Sequence, residues 1–562
     1  MDMIHYRNLF LYIAASLLPA HLMAAEADLI LKNGRVWTGD ADNPWAEAVA
    51  IRGQRILAVG NNQPVADLAG PLAKVIDLRG RLAIPGFNDA HTHFLSGSME
   101  LTEVDLNGAC GVAEMQKRVT DWAAAHPKEA WITGAGWQYE CFPDHALPVK
   151  QDLDAVMKDR PVYLRSYDGH TAWVNSKALQ LAGINAHTRY TGFGQVVFDA
   201  KTGEPSGCLK EGAQALVRKV VPDAPRDRKL AALEQGLKYA ASLGITSVEN
   251  ANGDAELLSL FDDLDKQKML TLRVNVALSV PPATPADAID RYLELKQTYR
   301  SPRLRAGALK FVLDGVVESH TAAMLAPYSD GSNTAGKPAW TQEAYENMVA
   351  LADSGGLQIL THAIGDRAVR MALDAYEYAR KENGPHDARF RIEHIETISP
   401  VDVPRFAKLG VLASMQPIHA DPGTVDLWSK AVGPERMKLA FPWRTLELSG
   451  ARLVFSSDWP AAISCDPVRG LHNAVNRETT DGKPPGGWVP AQRVSVETAV
   501  RAYTESGAYA SFDEKQKGKL KEGMLADIVV LSQDLFRIAP SDIYKTKVDV
   551  TIFDGKVIFT RE

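Results

Sequence analysis

Eight short apolar runs, separated by helix-length stretches through the middle of the chain, predict an α/β protein whose parallel strands close into a TIM-like (β/α)8 barrel. Short β segments near both ends predict a small β-sandwich built from the two termini. A long span between the first two runs predicts an insertion after the first strand, covering about residues 99–225.

The elements follow in chain order. Arg7 precedes an apolar run from Leu9 to Leu18, and small residues follow at Ala24 and Ala25. A basic start, an apolar stretch and a small-residue exit describe a secretory signal peptide over residues 1–25, cut after Ala24 or Ala25. The run is too short to span a bilayer and Pro19 interrupts it. The expectation is a periplasmic or secreted protein with no stable membrane anchor after cleavage.

Residues 26–83 carry the first part of the sandwich. Asp28 to Trp37 reads as strand, turn, strand around Asn33-Gly34. Ala48–Ile51 and Arg55–Val59 pair across Gly53-Gln54, and Val75–Leu78 with Arg81–Ile84 complete the module. Residues 520–562 supply the rest through Asp527–Leu531 and Val548–Phe559, with a turn at Asp554-Gly555.

The barrel occupies residues 84–470. Its strands are expected at Leu82–Asn88, Thr246–Asn250, Leu272–Ala277, Ala308–Leu313, Leu357–Leu360, Phe390–Glu393, Val411–Met415 and Leu453–Ser456. The insertion is rich in aromatic residues, among them Trp131, Trp137, Tyr139, Phe142, Tyr163, Tyr167 and Trp173. Most suit a core, and some suit a pocket mouth, where they would favour an apolar or aromatic group on the substrate. Residues 471–519 hold a post-barrel loop and helices. The Pro/Gly-rich segment 481–490 is expected on the face where a barrel places its site.

Composition bounds the function. The chain has 562 residues, 46% hydrophobic and 23% charged, with a formal net charge of −7. These values exclude disordered, collagen-like and multi-span membrane classes, and they give no reason to expect a nucleic-acid partner. A small-molecule substrate is the expected partner, and nothing in the sequence sets the oligomeric state. Four cysteines, none in a CxxC pair, are too few for a disulfide framework and argue against thiolate-bound zinc.

Histidine placement is more informative. His91 and His93 follow the first strand directly, and in extended chain residues i and i+2 point the same way, so both imidazoles can meet one ion. His362, His394 and Asp458 stand at the ends of the fifth, sixth and eighth runs. Ligand-type residues on the C-terminal face of a barrel are where its chemistry occurs. Lys310, inside the apolar fourth run, is costly there as a free cation. It is either salt-bridged or carboxylated on its amine, which would let it bridge two metals.

At these residues the chain resembles the amidohydrolase superfamily, in its family 3 branch that includes N-substituted formamide deformylase. The resemblance runs through Pro85-Gly-Phe-Asn-Asp-Ala-His-Thr-His93, Asp168–Leu179, Gly203–Glu211, Leu309–Gly315, Thr361–Asp366 and Gly523–Leu531. It implies that His91, His93, Lys310, His362, His394 and Asp458 form a divalent metal site, with two zinc ions, or manganese or iron in their place. Where the branch often has a small residue or arginine after the Asp-Gly of strand four, this chain reads Val316-Val-Glu-Ser-His-Thr-Ala322. His320 is then a pocket group, a spare ligand or a hydrogen-bonded loop residue.

Such a site lowers the pKa of a bound water from about 15.7 to about 7. The expected reaction is attack of the resulting hydroxide on an amide-type carbonyl, as in N-formyl or N-acyl amines, so that a carbon–nitrogen bond outside peptides is broken. Asp458 would take the proton and deliver it to the leaving nitrogen, and His170 would donate to the carbonyl or its oxyanion. Asp168, Trp173, Glu211 and His320 are the candidates for substrate contact. The alternatives are a mononuclear deaminase, an ester or lactone hydrolase, and a non-catalytic binding protein on the same scaffold. Against the deaminase, the position three residues after His362, where such enzymes carry a glutamate, is Gly365.

Overall fold

Gly86 marks the passage from sandwich to barrel. The computed structural model describes residues 26–142 and 146–562, so the signal-peptide reading of residues 1–25 lies outside the described residues. The single strand expected over Leu82–Asn88 is two strands. Leu82–Pro85 lies in the sandwich, between Arg35–Trp37 and Ile528–Leu531. Phe87–Thr92 is the first barrel strand, β1. A Cβ on Gly86 would lie 2.2 Å from Thr246 Oγ1, so a glycine is what lets the connection pass so near the next barrel strand.

That strand, β2, is Ile245–Gly253, and β3 (Arg273–Ser279), β4 (Leu304–Val312) and β5 (Gln358–Ala363) follow. The series ends with β6 (Arg391–His394), β7 (Leu412–Met415) and β8 (Leu453–Phe455). All eight pair in sequence order, each parallel to its neighbour. The ring is drawn together past the end of β8, where Asp458 N–H donates to His91 O at 2.8 Å and His93 N–H to Trp459 O at 2.6 Å. The helices that cover the barrel are amphipathic. Asp366–Asn383 buries Val369, Leu373, Tyr376 and Ala379 on one stripe, with an acid in its first turn and Arg380 and Lys381 in its last, which suits the helix dipole.

The sandwich sheets are a four-stranded one (Arg55–Gly60, Ala48–Arg52, Ala27–Lys32, Ala69–Asp77) and a six-stranded one to which both ends of the chain contribute. Asn33-Gly34 is not a hairpin turn, because Ala27–Lys32 and Arg35–Trp37 belong to different sheets. Asn33 takes φ 56° and a Cβ on Gly34 would strike Leu78, so the chain uses this corner to cross between layers. Asp554-Gly555 is a true two-residue turn, both residues at positive φ.

The insertion forms its own six-stranded sheet, running from Val104–Asp105 at one edge to Gly194–Phe198 at the other, before helix Arg226–Ser242 returns the chain to the barrel. Trp137, Phe142 and Trp173 fill its core. Cys110 and Cys141 are disulfide-bonded within it, one bridge rather than a framework, and Cys208 and Cys465 are buried free thiols. No helix of the described residues is long and apolar enough to cross a membrane.

Replacing Gly86 by alanine is expected to destabilise the fold by about 1–3 kcal/mol, because Thr246 is β-branched and its Cβ would also be only 2.9 Å away. A thermal unfolding midpoint equal to that of the wild type would contradict this close approach.

Candidate metal centre

The C-terminal ends of five barrel strands bring His91, His93, Lys310, His362, His394 and Asp458 to one place. His91 Nε2 lies 3.3 Å from Asp458 Oδ1, and His93 Nε2 lies 3.1 Å from the same oxygen. His394 Nδ1 is 3.8 Å from Asp458 Oδ2, and the rings of His362 and His394 are 4.5 Å apart at their centres. Ligand atoms of His91, His394 and Asp458 all fall within 4.8 Å of one another. His394 and Asp458 have φ of 76° and 62°, a left-handed backbone that non-glycine residues adopt at a cost and that recurs at functional sites.

Hydrogen bonds fix which nitrogen of each ring faces inward. His91 Nδ1–H donates to Glu393 Oε2 at 2.7 Å, and His394 Nδ1–H donates to Gln416 Oε1 at 2.7 Å. Both Nε2 atoms are thereby left as lone-pair donors to a cation. His362 Nε2–H points to Gly315 O at 3.3 Å, leaving its Nδ1. Asp458 Oδ1 is buried and accepts no hydrogen bond among the described residues. Lone pairs of His91, His394 and Asp458 thus converge with too few protons between them, and this donor set fits a divalent metal. Burial works against ionisation of Asp458, but His91, His93 and His394 hold its carboxyl well below the usual range.

Lys310 is 2% exposed, and its Nζ sits 3.0 Å from His91 Nε2. It forms no ion pair among the described residues, so the salt-bridged reading of this lysine does not hold. Burial lowers it to about 8, against the pull of Glu393 and Asp458.

Beneath the site, polar side chains fill the barrel. Arg391 Nε donates to Glu393 Oε1 at 2.9 Å, and Arg391 Nη2 donates to Ala90 O and Ser414 Oγ. Asp314 accepts backbone N–H groups from Ala323, Ile364 and Gly365, which ties the loops after β4 and β5 together.

A narrow cavity of about 30 Å3 opens over the cluster. His170 and Asp168 line it. His170 Nδ1 pairs with Glu211 Oε2 at 2.7 Å, which leaves Nε2–H as its free donor. Burial opposes its protonation, but Glu211, Asp168 and Asp458 push it up to about 10. Glu211 is buried behind His170, also accepting from Ser319 and Thr321, so it holds the imidazole rather than lining the cavity.

Two sequence candidates lie elsewhere. Trp173 is fully buried in the insertion core, its indole N–H on Val149 O at 2.9 Å, because strand Thr171–Val174 turns that face inward. Trp137 is equally buried, and of the insertion aromatics Tyr167 reaches the cavity. His320 pairs with Asp330 at 2.5 Å and packs on Tyr328, the hydrogen-bonded loop residue of the three readings. Segment 481–490 does not line the cavity; its Trp488 packs on Trp428.

The sequence reading passed over Glu318, Glu396 and His419, which line the cavity, and Glu393, which orients His91. His419 follows β7 and its ring stacks on His394 at 5.8 Å. The rule that found His362 and His394, a ligand-type residue just past an apolar strand, applies equally to Glu396 and His419.

Comparison with known proteins places this arrangement. The chain is 34% identical over 544 residues to Protein LONG AFTER FAR-RED 3 of Arabidopsis thaliana, covering 95% of this chain and 92% of that one. It is 27% identical to N-substituted formamide deformylase of Arthrobacter pascens, covering 96% and 99%. A solved structure, an uncharacterized metal-dependent hydrolase from Pyrococcus furiosus, superposes with a TM-score of 0.70 at 29% identity, covering 91% of this chain and all of that one. The model of the amidohydrolase family matches residues 74–559, from the sandwich through the barrel and its insertion, and the chain belongs to that family.

Proposed function

We propose that this protein is a metal-dependent hydrolase that breaks the carbon–nitrogen bond of a small amide, of the N-formyl or N-acyl amine type. The observation that carries the reading is the convergence of lone pairs from His91, His394 and Asp458 beside Lys310. When bound there, by His91, His93, Lys310, His362, His394 and Asp458, divalent metal supplies the charge that ionises water near neutral pH and polarises a carbonyl. Two zinc ions suit the six positions, with Lys310 carboxylated on Nζ; manganese or iron would accept the same donors. A buried amine beside an imidazole lone pair, with no carboxylate partner among the described residues, supports that modification.

The chain's own groups then divide the work. His170 Nε2–H, held in place by Glu211, donates to the substrate carbonyl oxygen, where negative charge develops. The Asp458 carboxylate takes the proton released by the attacking water and passes it to the departing nitrogen. The cavity, with room for about two waters beyond the ligands, accepts a formyl or acetyl end. A ring deaminase needs a proton-shuttling side chain at Gly365, yet a Cβ there would lie 2.0 Å from Ala323 O. Asp366, next along, instead accepts Leu325 N–H at 2.8 Å and starts a helix.

We also propose export, with cleavage after Ala24 or Ala25. The disulfide between Cys110 and Cys141 supports it, since such bridges persist in oxidising compartments.

Amine release from N-formylbenzylamine and N-acetylbenzylamine, compared with phenyl acetate hydrolysis and with ammonia release from adenine, tests the reaction. Turnover of the amides with kcat/KM above the ester is expected; ammonia from adenine without amide cleavage would contradict the bond type. His170→Ala should lower kcat by about 10²–10³-fold on the amide, and an unchanged kcat would remove His170 from the reaction. Glu393→Gln should weaken zinc affinity about 10–100-fold in equilibrium dialysis; wild-type affinity would show that His91 needs no carboxylate to orient it. Intact mass of the exported protein should correspond to a chain starting at Ala25 or Glu26, and a mass that includes Met1 would refute cleavage.

A further inference from the structure

Strands Val162–Ser166 and Thr171–Val174 of the insertion pair antiparallel, and the tip between them brings the His170 ring to 5.7 Å from that of His362. The same tip carries two more residues that line the cavity, Tyr167 and Asp168. Its backbone is tied at several points. Tyr167 N–H donates to Trp137 O at 2.9 Å, Gly169 N–H to Ser166 O at 2.9 Å, and Thr171 N–H to Ser166 Oγ at 3.0 Å. Gly169 takes φ 74°, a left-handed conformation that glycine adopts readily and that lets the chain reverse here. Asp168 turns back into the tip, where it accepts the His170 backbone N–H at 3.0 Å.

Tyr167 is 8% exposed, and its hydroxyl has no hydrogen-bond partner among the described residues. Every other buried tyrosine of the described residues has one. Tyr139 donates to Asp168 and Tyr163 to Gln214 Oε1, Tyr328 and Tyr503 donate to the carbonyl oxygens of Ala322 and Ser456, and Tyr345 and Tyr376 meet at Thr361 Oγ1. A buried hydroxyl without a partner is costly, and the tyrosine that bears this cost is the one facing the cavity. Burial, and then the Glu318 and Asp168 carboxylates, holds its phenol well above the usual range, so the hydroxyl keeps its proton and is a donor. The other cavity donor outside the cluster besides His170, the His419 Nε2–H, is already spent on Ala461 O at 3.0 Å.

We propose that Tyr167 is a second catalytic donor, its O–H joining His170 Nε2–H on the substrate carbonyl oxygen as negative charge develops there. The inference rests on the hydrolase reading of the metal centre and adds a residue to it. The hydroxyl keeps its proton throughout, and no bond to Tyr167 forms or breaks. A hydrogen bond to an oxyanion is stronger than one to a neutral amide oxygen, so the contribution falls mainly on the transition state. One rigid tip presents both donors, so little needs to reorganise when the charge forms.

Tyr167→Phe removes the hydroxyl and keeps the ring. On N-acetylbenzylamine its kcat should fall about 10–100-fold, with KM within about twofold of the wild type. N-benzyl methylphosphonamidate, a tetrahedral anion shaped like the addition intermediate, gives a readout that needs no turnover. Its calorimetric Kd on the zinc-loaded protein should rise about tenfold or more in Tyr167→Phe, while N-acetylbenzylamine binds as before. 3-Fluorotyrosine at the same position, a more acidic donor of nearly the same shape, should tighten the mimic, and it decides the matter if the phenylalanine variant does not fold. An unchanged kcat and an unchanged mimic Kd in Tyr167→Phe would show a hydroxyl satisfied by water alone and overturn the proposal. A loss carried by KM alone would overturn it too, since the contact would then be made equally in the ground state. A wild type that binds the mimic through Tyr167 yet cleaves no amide would refute the hydrolase reading and leave the donor standing, whereas failure to bind or cleave would refute both.

Discussion

A lysine amine sealed in the barrel against an imidazole lone pair is the constraint on which the site depends. Removing an ammonium from water costs several kcal/mol even after relaxation, and an ion pair recovers that only with good geometry. Lys310 has no such pair among the described residues; its near neighbour is His91 Nε2 at 3.0 Å. Around it stand His362 and His394, both pushed well below the usual imidazole range by burial first, and then by Lys310 and His170 at His362 and by His362 at His394. An arrangement this short of protons, with an ionised Asp458 at its centre, suits a divalent cation.

The rest of the barrel serves that cluster. Arg391, fully buried, fixes Glu393, and Glu393 fixes His91, so the orientation of one ligand is traced to a guanidinium well below it. Gln416 does the same for His394 from β7, and its amide in turn donates to Ser456 Oγ at 2.9 Å. Asp89 on β1 accepts the Ser457 N–H at 2.8 Å and so positions the residue before Asp458. The insertion adds the roof: strand Thr171–Val174 pairs with Pro205–Glu211, which brings His170 over the cluster with Glu211 behind it. The cavity over the cluster is therefore lined both by barrel loops, through Glu318, Glu396 and His419, and by the insertion, through Tyr167, Asp168 and His170.

Much of this was legible in the sequence. Barrel strands are apolar runs of characteristic length, and ligand-type residues at their C-terminal ends stand out because polar residues are costly there; His91, His93, His362, His394 and Asp458 are legible that way, and the fold brings them together. Lys310 was legible for the same reason, as a charge inside an apolar strand. Trp173 was misread because alternation along a strand does not say which face meets the cavity and which the core. The Asn33-Gly34 corner was misread because a turn dipeptide between two strands looks alike whether they pair or pass to separate sheets. Glu318 was beyond reach, since it lies on the loop after β4 rather than directly at a strand end, and only the folded loop brings it to the cavity.

Metal occupancy of the cluster is read most directly from the metal content of the purified mature protein and of Lys310→Ala, prepared side by side with bicarbonate and zinc present. About two equivalents are expected in the wild type, and a clear loss in the variant while its circular dichroism stays that of the wild type. One equivalent or none in the wild type, or a Lys310→Ala protein that keeps the full complement, would contradict it and return Lys310 to a structural role.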